Sequence, residues 1–337
     1  LEIKTTAPEE HITYRNNRVV AALLWCRQAG CLNSLLPFKS EYAEILLGMK
    51  KVLISGLNTY LGRRASCHLQ AKDFDVTGLV RNLSIFNKIV KERVTAKLFE
   101  LDLLRKGEAY DNFEVSDVNF GIYFTQVPSL DNDIQLQLEL LGLRNFIEIC
   151  KRGGNNRIIY VARLMDEHFL EPVRNLLEVL RVRYTIVIKS SAIGRESILN
   201  RVFAKLAKRQ TVFYWNWVAS LKFHPLPLLD VYRWLREMPW EDHFFSEVIY
   251  LGGNEEITFR SLFYQYLNCT SETQKREIGV NKFFAKLLLS RFNDINKEDI
   301  DEFRRVLYYE KNVDNSAWQK IQPFQFTPLK AYVCQDT

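Results

Sequence analysis

The stretch KVLISGLNTYLGRRASCHLQ, Lys51 to Gln70, carries the clearest chemical signal in the chain. An apolar run (Val52, Leu53, Ile54) meets Ser55-Gly56, a short polar turn follows, and Leu61-Gly62 opens a run of helix formers. Where a parallel strand turns into a helix, free backbone N–H groups and the helix dipole converge on one point, which suits a pyrophosphate. Gly56 permits the tight turn, and Gly62 lets the helix pack closely on the sheet. The middle glycine of a three-glycine fingerprint is replaced by Thr59, whose Cβ hinders approach to the phosphates and whose hydroxyl is itself a potential donor. Taken alone, such a turn is structural as often as functional.

Other residues could do chemistry and have plainer accounts. Asp166, Glu167 and His168 cluster in one segment, where His168 could exchange a proton with a carboxylate orienting it. The competing account is a solvated loop and helix cap. Tyr160 sits in an apolar run and is expected in the core, and His224 in KFHPLP is expected to be loop structure. The aromatic FYWNW (213–217) would line a ligand or cover a dimer surface, with core as the default. No Tyr-x-x-x-Lys, in which the lysine charge would favour phenolate, occurs anywhere in the chain.

The elements that must position these residues alternate. Strands are expected at 51–55, 75–80, 96–102, 119–125, 156–162 and 183–189, with helices between them at about 60–72, 84–93, 130–152 and 166–181. In the third helix Ile134, Leu138, Leu141, Phe146 and Ile149 recur at helical spacing and predict a buried stripe. Strands alternating with helices of this length imply right-handed βαβ units and a parallel sheet. The strands' apolar runs, with little alternation, fit burial on both faces. The fold expected is α/β, a Rossmann-type doubly wound parallel sheet with a smaller C-terminal substrate-side region.

Composition sets the outer limits. The chain has 337 residues, 47% hydrophobic and 26% charged, with a net charge of +6. The charge is spread out rather than blocked into an arm, so no nucleic-acid partner is expected. Six scattered cysteines without a Cys-x-x-Cys pair argue against zinc and against a secreted disulfide scaffold. Reduced thiols in a cytoplasm-like compartment are expected, with no metal and no membrane span. Residues 1–48 are read as an extension outside the core, with Met49 opening the folded part. Their lack of acids from His11 to Ser40 faintly suggests a transit peptide as the rival account. The rest divides as a dinucleotide-binding domain at 49–194, a substrate-side region at 195–269 and a mostly helical tail at 270–337.

The order of VLISGLNTYLGRRASCHL, DVTGLVRN, ELDLL and GIYFTQVPSL, and later PLPLLDVYRWL and VIYLGGNEEITFRSLFYQYL, resembles the atypical short-chain dehydrogenase/reductase superfamily. Within it the chain is most similar to the NmrA-like and NAD-dependent epimerase-like NAD(P)-binding proteins. The resemblance spans about residues 49–268. It implies that Gly56, Asn58, Thr59, Tyr60, Leu61 and Gly62 form the pyrophosphate loop. Arg81 stands where an acid would grip the ribose of NAD, and its fork suits a 2′-phosphate, so NADP is the expected cofactor, with NAD as the second candidate. Asp102 and Leu103 match the pair at the adenine edge, Thr125 and Gln126 would lie over the ribose and nicotinamide, and Lys189 either faces the nicotinamide end or is solvated. The family's Tyr-Lys pair is missing, with Pro172, Val173 and Arg174 near its place. Three functions stay open: an oxidoreductase or epimerase on an unidentified small molecule, a non-catalytic dinucleotide sensor or scaffold, and a relic fold without cofactor. The catalytic residue is unassigned, with His168 as the candidate, and the oligomeric state is not specified.

Overall fold

The computed structural model describes residues 49–72, 74–91, 94–270, 275–281 and 295–335. The expectations for residues 1–48 lie outside them. Seven strands, β1 (Lys50–Ser55), β2 (Phe74–Val80), β3 (Lys97–Glu100), β4 (Val118–Phe124), β5 (Arg157–Arg163), β6 (Arg183–Lys189) and β7 (Glu247–Leu251), form one sheet in the order β7-β6-β5-β4-β1-β2-β3. Every pairing in it is parallel. The order reverses between β1 and β4, leaving a crevice at their C-terminal ends, where ligands of such sheets bind.

The apolar runs explain the double winding. Val52 and Ile54 of β1, Ile122 and Phe124 of β4 and Val161 of β5 enter one core, and Leu53, Tyr123 and Tyr160 enter the other. Successive side chains of a strand point to opposite faces, so a run without polar breaks needs cover on both. The helices α1 (Tyr60–Gln70), α2 (Leu83–Ile89), α3 (Asp133–Arg152) and α4 (Glu171–Val179) supply it. All six expected strands are present to within a few residues. The seventh, β7, comes from the segment assigned to the substrate side, so the central sheet is built from both sides of Gly194.

The stripe expected on α3 is corrected. Phe146 and Ile149 are buried, but Ile134 is 73% exposed, and Leu138 and Leu141 also face outward. The side toward the sheet runs through Glu139, Leu143, Phe146 and Cys150. A search for apolar residues alone passes over it because a carboxylate heads the row.

Beyond β6, α5 (Ile198–Ala207), α6 (Leu228–Glu237), α7 (Phe259–Cys269) and α8 (Lys297–Tyr308) extend the first core. Phe203 meets Phe259, Phe263 and Tyr266 at ring separations of 5.2, 5.3 and 5.5 Å. Trp215 of the FYWNW stretch is buried against Phe303, so the core account of that stretch holds for it. The tail also contains a strand, Arg276–Val280, paired with Thr211–Trp215. One expectation about the cysteines fails. Cys269, at the end of α7, and Cys334, in a final helix (Leu329–Gln335), form a disulfide with their Cα atoms 4.9 Å apart. Sixty-five residues separate them, so spacing in the sequence carried no sign of the pairing. Cys67 and Cys150 are free thiols.

Candidate functional site at the β1/β4 crevice

The loop from β1 into α1 is a close-packed turn. Gly56 has φ +94°, and a Cβ there would lie 2.8 Å from the Phe124 Cβ and 2.9 Å from its carbonyl oxygen. A Cβ on Gly62 would lie 2.5 Å from the Gly56 carbonyl oxygen. A Cβ therefore does not fit at either glycine, and at Gly62 it meets the loop backbone rather than the sheet. Thr59 behaves differently from a phosphate donor. Its hydroxyl donates to the Gly56 carbonyl at 2.7 Å and accepts from the Gly62 N–H at 3.1 Å, capping α1. That consumes one of the free amides at the helix start. The amides of Tyr60 and Leu61 have no acceptor among the described residues.

Arg63 was not singled out in the sequence, yet it shapes this loop. Its Nη1 donates to the carbonyls of Leu57 (3.3 Å) and Asn58 (3.0 Å), and its Nη2 donates to Glu196 at 2.6 Å. Arg64 reaches the other oxygen of Glu196 at 3.2 Å. Two guanidiniums on one carboxylate leave the loop's surroundings net positive. Asn58 itself is exposed.

At the β2 end, Arg81 and Asp102 form an ion pair at 3.3 Å, and Asp102 also accepts from the Leu104 N–H. Leu103 is buried, and its carbonyl accepts from Asn145 at 2.7 Å, which anchors the loop after β3. After β4, Thr125 donates to the Val161 carbonyl (3.0 Å) or to the Tyr160 hydroxyl (3.1 Å), and Gln126 Nε2 donates to Ser55 at 2.9 Å. Beneath them Glu139 accepts from Tyr160 and from the amides of Gln126 and Val127. Burial pushes the Glu139 carboxyl up to about 7, against the pull of those hydrogen bonds. Tyr160 is core, as expected, and burial raises its phenol well above the ordinary range.

These ends frame a cavity of about 390 Å³ that runs from Asn58–Leu61 across Thr125, Val161 and Arg163 to Lys189, Ser190 and Ser191. Its volume is within the range of small-molecule sites. Glu302 and Val306 of α8, with Glu310, form another wall. Glu310 accepts both the N–H and the hydroxyl of Ser191, and burial raises its carboxyl to about 7. Lys189 is 8% exposed, so the solvated account of it fails. Burial, and then the Arg163 charge, lowers its ammonium to about 8.

His168 lies elsewhere. It is exposed, in the short 3-10 helix Leu164–Phe169, and is not among the residues lining the cavity. Its neighbour Asp166 is buried, pairing with Arg163 at 2.5 Å and accepting the Leu130 N–H. Glu167 pairs with Lys311. In place of the absent Tyr-Lys pair, Val173 is buried and Arg174 pairs with Glu178 on the surface. Among the described residues no cluster of three or more metal-ligating side chains occurs, and no helix is long and apolar enough to cross a membrane.

No protein-family model and no curated protein matches the chain by sequence. Solved structures do match it in three dimensions. Triphenylmethane reductase from Citrobacter sp., complexed with NADP(H), has a TM-score of 0.63 at 15% identity, covering 85% of this chain and all of that one. The enzyme WbmH from Bordetella bronchiseptica, in complex with NAD+, has a TM-score of 0.59 at 12% identity, covering 85% and 96%. A nucleoside-diphosphate-sugar epimerase from Staphylococcus aureus has a TM-score of 0.57 at 13% identity, covering 84% and 99%. At these identities the likeness establishes the fold: a Rossmann-type sheet with a C-terminal region, shared along nearly the full length of those enzymes.

Proposed function

We propose that the protein binds a nicotinamide dinucleotide, NADP(H) in preference to NAD(H), and acts on a small molecule as an oxidoreductase or epimerase of the atypical short-chain dehydrogenase type. One observation carries this. The open amides of Tyr60 and Leu61, at the reversal point of the sheet, border the same cavity that covers the ends of β4, β5 and β6. The loop fits a pyrophosphate, since Gly56 and Gly62 close it too tightly for a Cβ and Arg63 holds its carbonyls away from the anion. On this reading Arg81 meets the adenosine ribose and Asp102 the adenine edge, while Thr125 and Gln126 lie over the second ribose and the nicotinamide. A nicotinamide held there would give or take a hydride. The chain's own residues would fix its orientation, with Tyr60, Glu302 and Val306 on the cavity wall. The ligands bound in the Citrobacter and Bordetella enzymes, NADP(H) and NAD+, support the cofactor class.

A second reading, a dinucleotide sensor without turnover, is favoured by one feature. Tyr60 is the tyrosine lining the cavity, and burial, with Glu302 adding to it, pushes its phenol upward. A proton-exchanging tyrosine needs the opposite shift. The test is calorimetric titration with NADPH, NADH and their oxidised forms, followed by incubation of the NADPH complex with aldehydes, ketones and quinones. Absence of binding by every nucleotide would end both readings, whereas binding without turnover would select the second.

A cytoplasm-like compartment belongs to the same proposal. The free thiols Cys67 and Cys150 and the cofactor class support it, and the Cys269–Cys334 disulfide counts against it. Alkylation in intact cells before extraction would decide, because an oxidised pair in that sample is incompatible with a reducing compartment.

A further inference from the structure

Arg163 ends β5, Lys189 ends β6, and the two are register partners. Partners on neighbouring strands share a face, so two cations stand side by side at the C-terminal edge of the sheet, both on the cavity wall. Like charges in that relation are destabilising, and burial of the lysine adds to the cost.

The surrounding acids, Glu310, Glu302 and Asp166, offset part of that cost without forming an ion pair to the lysine. Asp166 holds Arg163 through Nε, while the buried Nη2 has no hydrogen-bond partner. Lys189 Nζ makes one long contact, 3.4 Å to the Ser190 carbonyl, and has no carboxylate in ion-pairing range among the described residues. The acids lining the cavity are engaged elsewhere: Glu196 with Arg63 and Arg64, Glu302 with Arg201, Glu310 with Ser191. Lys189 therefore keeps ammonium donors unspent on the cavity wall, and Arg163 on the same wall keeps one enclosed guanidinium nitrogen without a partner. Buried donors left open in a cleft are satisfied when a ligand brings the acceptor.

We infer that Arg163 and Lys189 form an anion subsite that takes the carboxylate of a small molecule. Two open donors match two carboxylate oxygens. A carboxylate carries a single charge, so the three acidic side chains on the same walls oppose it less than they oppose a phosphate dianion. The inference rests on the proposed function only in calling this molecule a substrate, since the subsite itself requires no cofactor.

The full chain is titrated calorimetrically with benzoate, with its neutral isostere benzamide and with inorganic phosphate, each with and without saturating NADPH. Benzoate is expected to bind at least tenfold tighter than benzamide and tighter than phosphate, with its affinity not reduced by NADPH. Lys189→Met should lower benzoate affinity at least tenfold, and Lys189→Arg should retain benzoate. The melting temperature of Lys189→Met, expected at or above that of the parent, shows that the variant is folded. Undetectable benzoate binding, equal affinity for benzamide, or unchanged binding in Lys189→Met overturns the subsite. Displacement of benzoate by NADPH also overturns it, because the cations would then serve the cofactor's phosphates. If NADPH fails to bind while benzoate still binds, the cofactor reading falls and the subsite stands.

Discussion

Arg81 and Asp102, which the sequence assigned to separate ends of an adenosine site, are bound to each other at 3.3 Å across the ends of β2 and β3. The pair engages Arg81 through Nε, leaving its two terminal nitrogens for a 2′-phosphate. Because the Arg81 side chain is 66% exposed, solvent and salt weaken the contact. NADPH is therefore expected to bind about tenfold tighter than NADH, a difference of about 1.4 kcal/mol. Arg81→Ala should remove that advantage, and raising the salt concentration should shrink it. Equal affinities for the two nucleotides at low salt would refute the assignment.

Thr59 caps α1 with the same hydroxyl that occupies the Gly62 amide. Thr59→Gly should cost only a few tenths of a kcal/mol in stability, because glycine is itself tolerated as a cap. It also frees the Gly62 N–H, so NADPH and NADH should both tighten by the same factor in calorimetry. Gly62→Ala is the opposite case. Its methyl meets backbone at 2.5 Å, and the expected result is a loss of about 3 kcal/mol with no nucleotide binding.

Glu139 gathers the Tyr160 hydroxyl and two amides beneath the β4 loop. Glu139→Ala strands those donors in the core and should cost about 3 kcal/mol in urea denaturation. The pH dependence has a definite sign. The folded carboxyl holds its proton to about 7, while the unfolded one releases it near its ordinary 4.5. The unfolded state thus binds fewer protons between those values, and stability falls as pH rises through that window. Relative to Glu139→Gln, the parent should lose stability from pH 4.5 to 7 and then run parallel. A constant difference would show that Glu139 is not raised.

Lys189 gives the mirror case. Folded, its ammonium releases its proton near 8, and unfolded near 10.5. In that window the unfolded chain binds more protons, so stability rises with pH. Lys189→Met should exceed the parent by on the order of 3 kcal/mol at neutral pH, with the gap closing as pH rises from 8 toward 10.5. Denaturant midpoints of the two proteins across that range check it.

The Cys269–Cys334 bond closes a loop with a sequence separation of 65 residues. Chain entropy alone assigns such a closure up to about 4 kcal/mol. Reduction, or Cys334→Ser, should lower the melting temperature accordingly, and mass spectrometry of the unreduced digest should recover the joined peptides. No change on reduction would place the final helix outside the cooperative unit.

The sequence by itself determined the alternation of strands and helices, the doubly wound sheet and the glycine turn at Gly56 and Gly62. These are local matters: apolar runs too continuous for a half-exposed sheet, helical spacing between them, and two positions where a side chain does not fit. It also showed, by simple absence, that no Tyr-x-x-x-Lys pair exists. Only the tertiary structure decided which charges meet. Arg81 finds Asp102, Arg63 finds Glu196 from 133 residues away, and Ser191 finds Glu310 from 119. Nothing in local spacing encodes such encounters. The same limit hid the buried face of α3, where Glu139 counted as polar until the β4 loop supplied its donors. It also hid Lys189, which lies buried on the wall of a cavity that α8 and Glu310, from the far end of the chain, also line. Propensity and hydrophobic period act over a few residues, whereas the charge environment of the crevice is set by segments brought together when both faces of the sheet are covered.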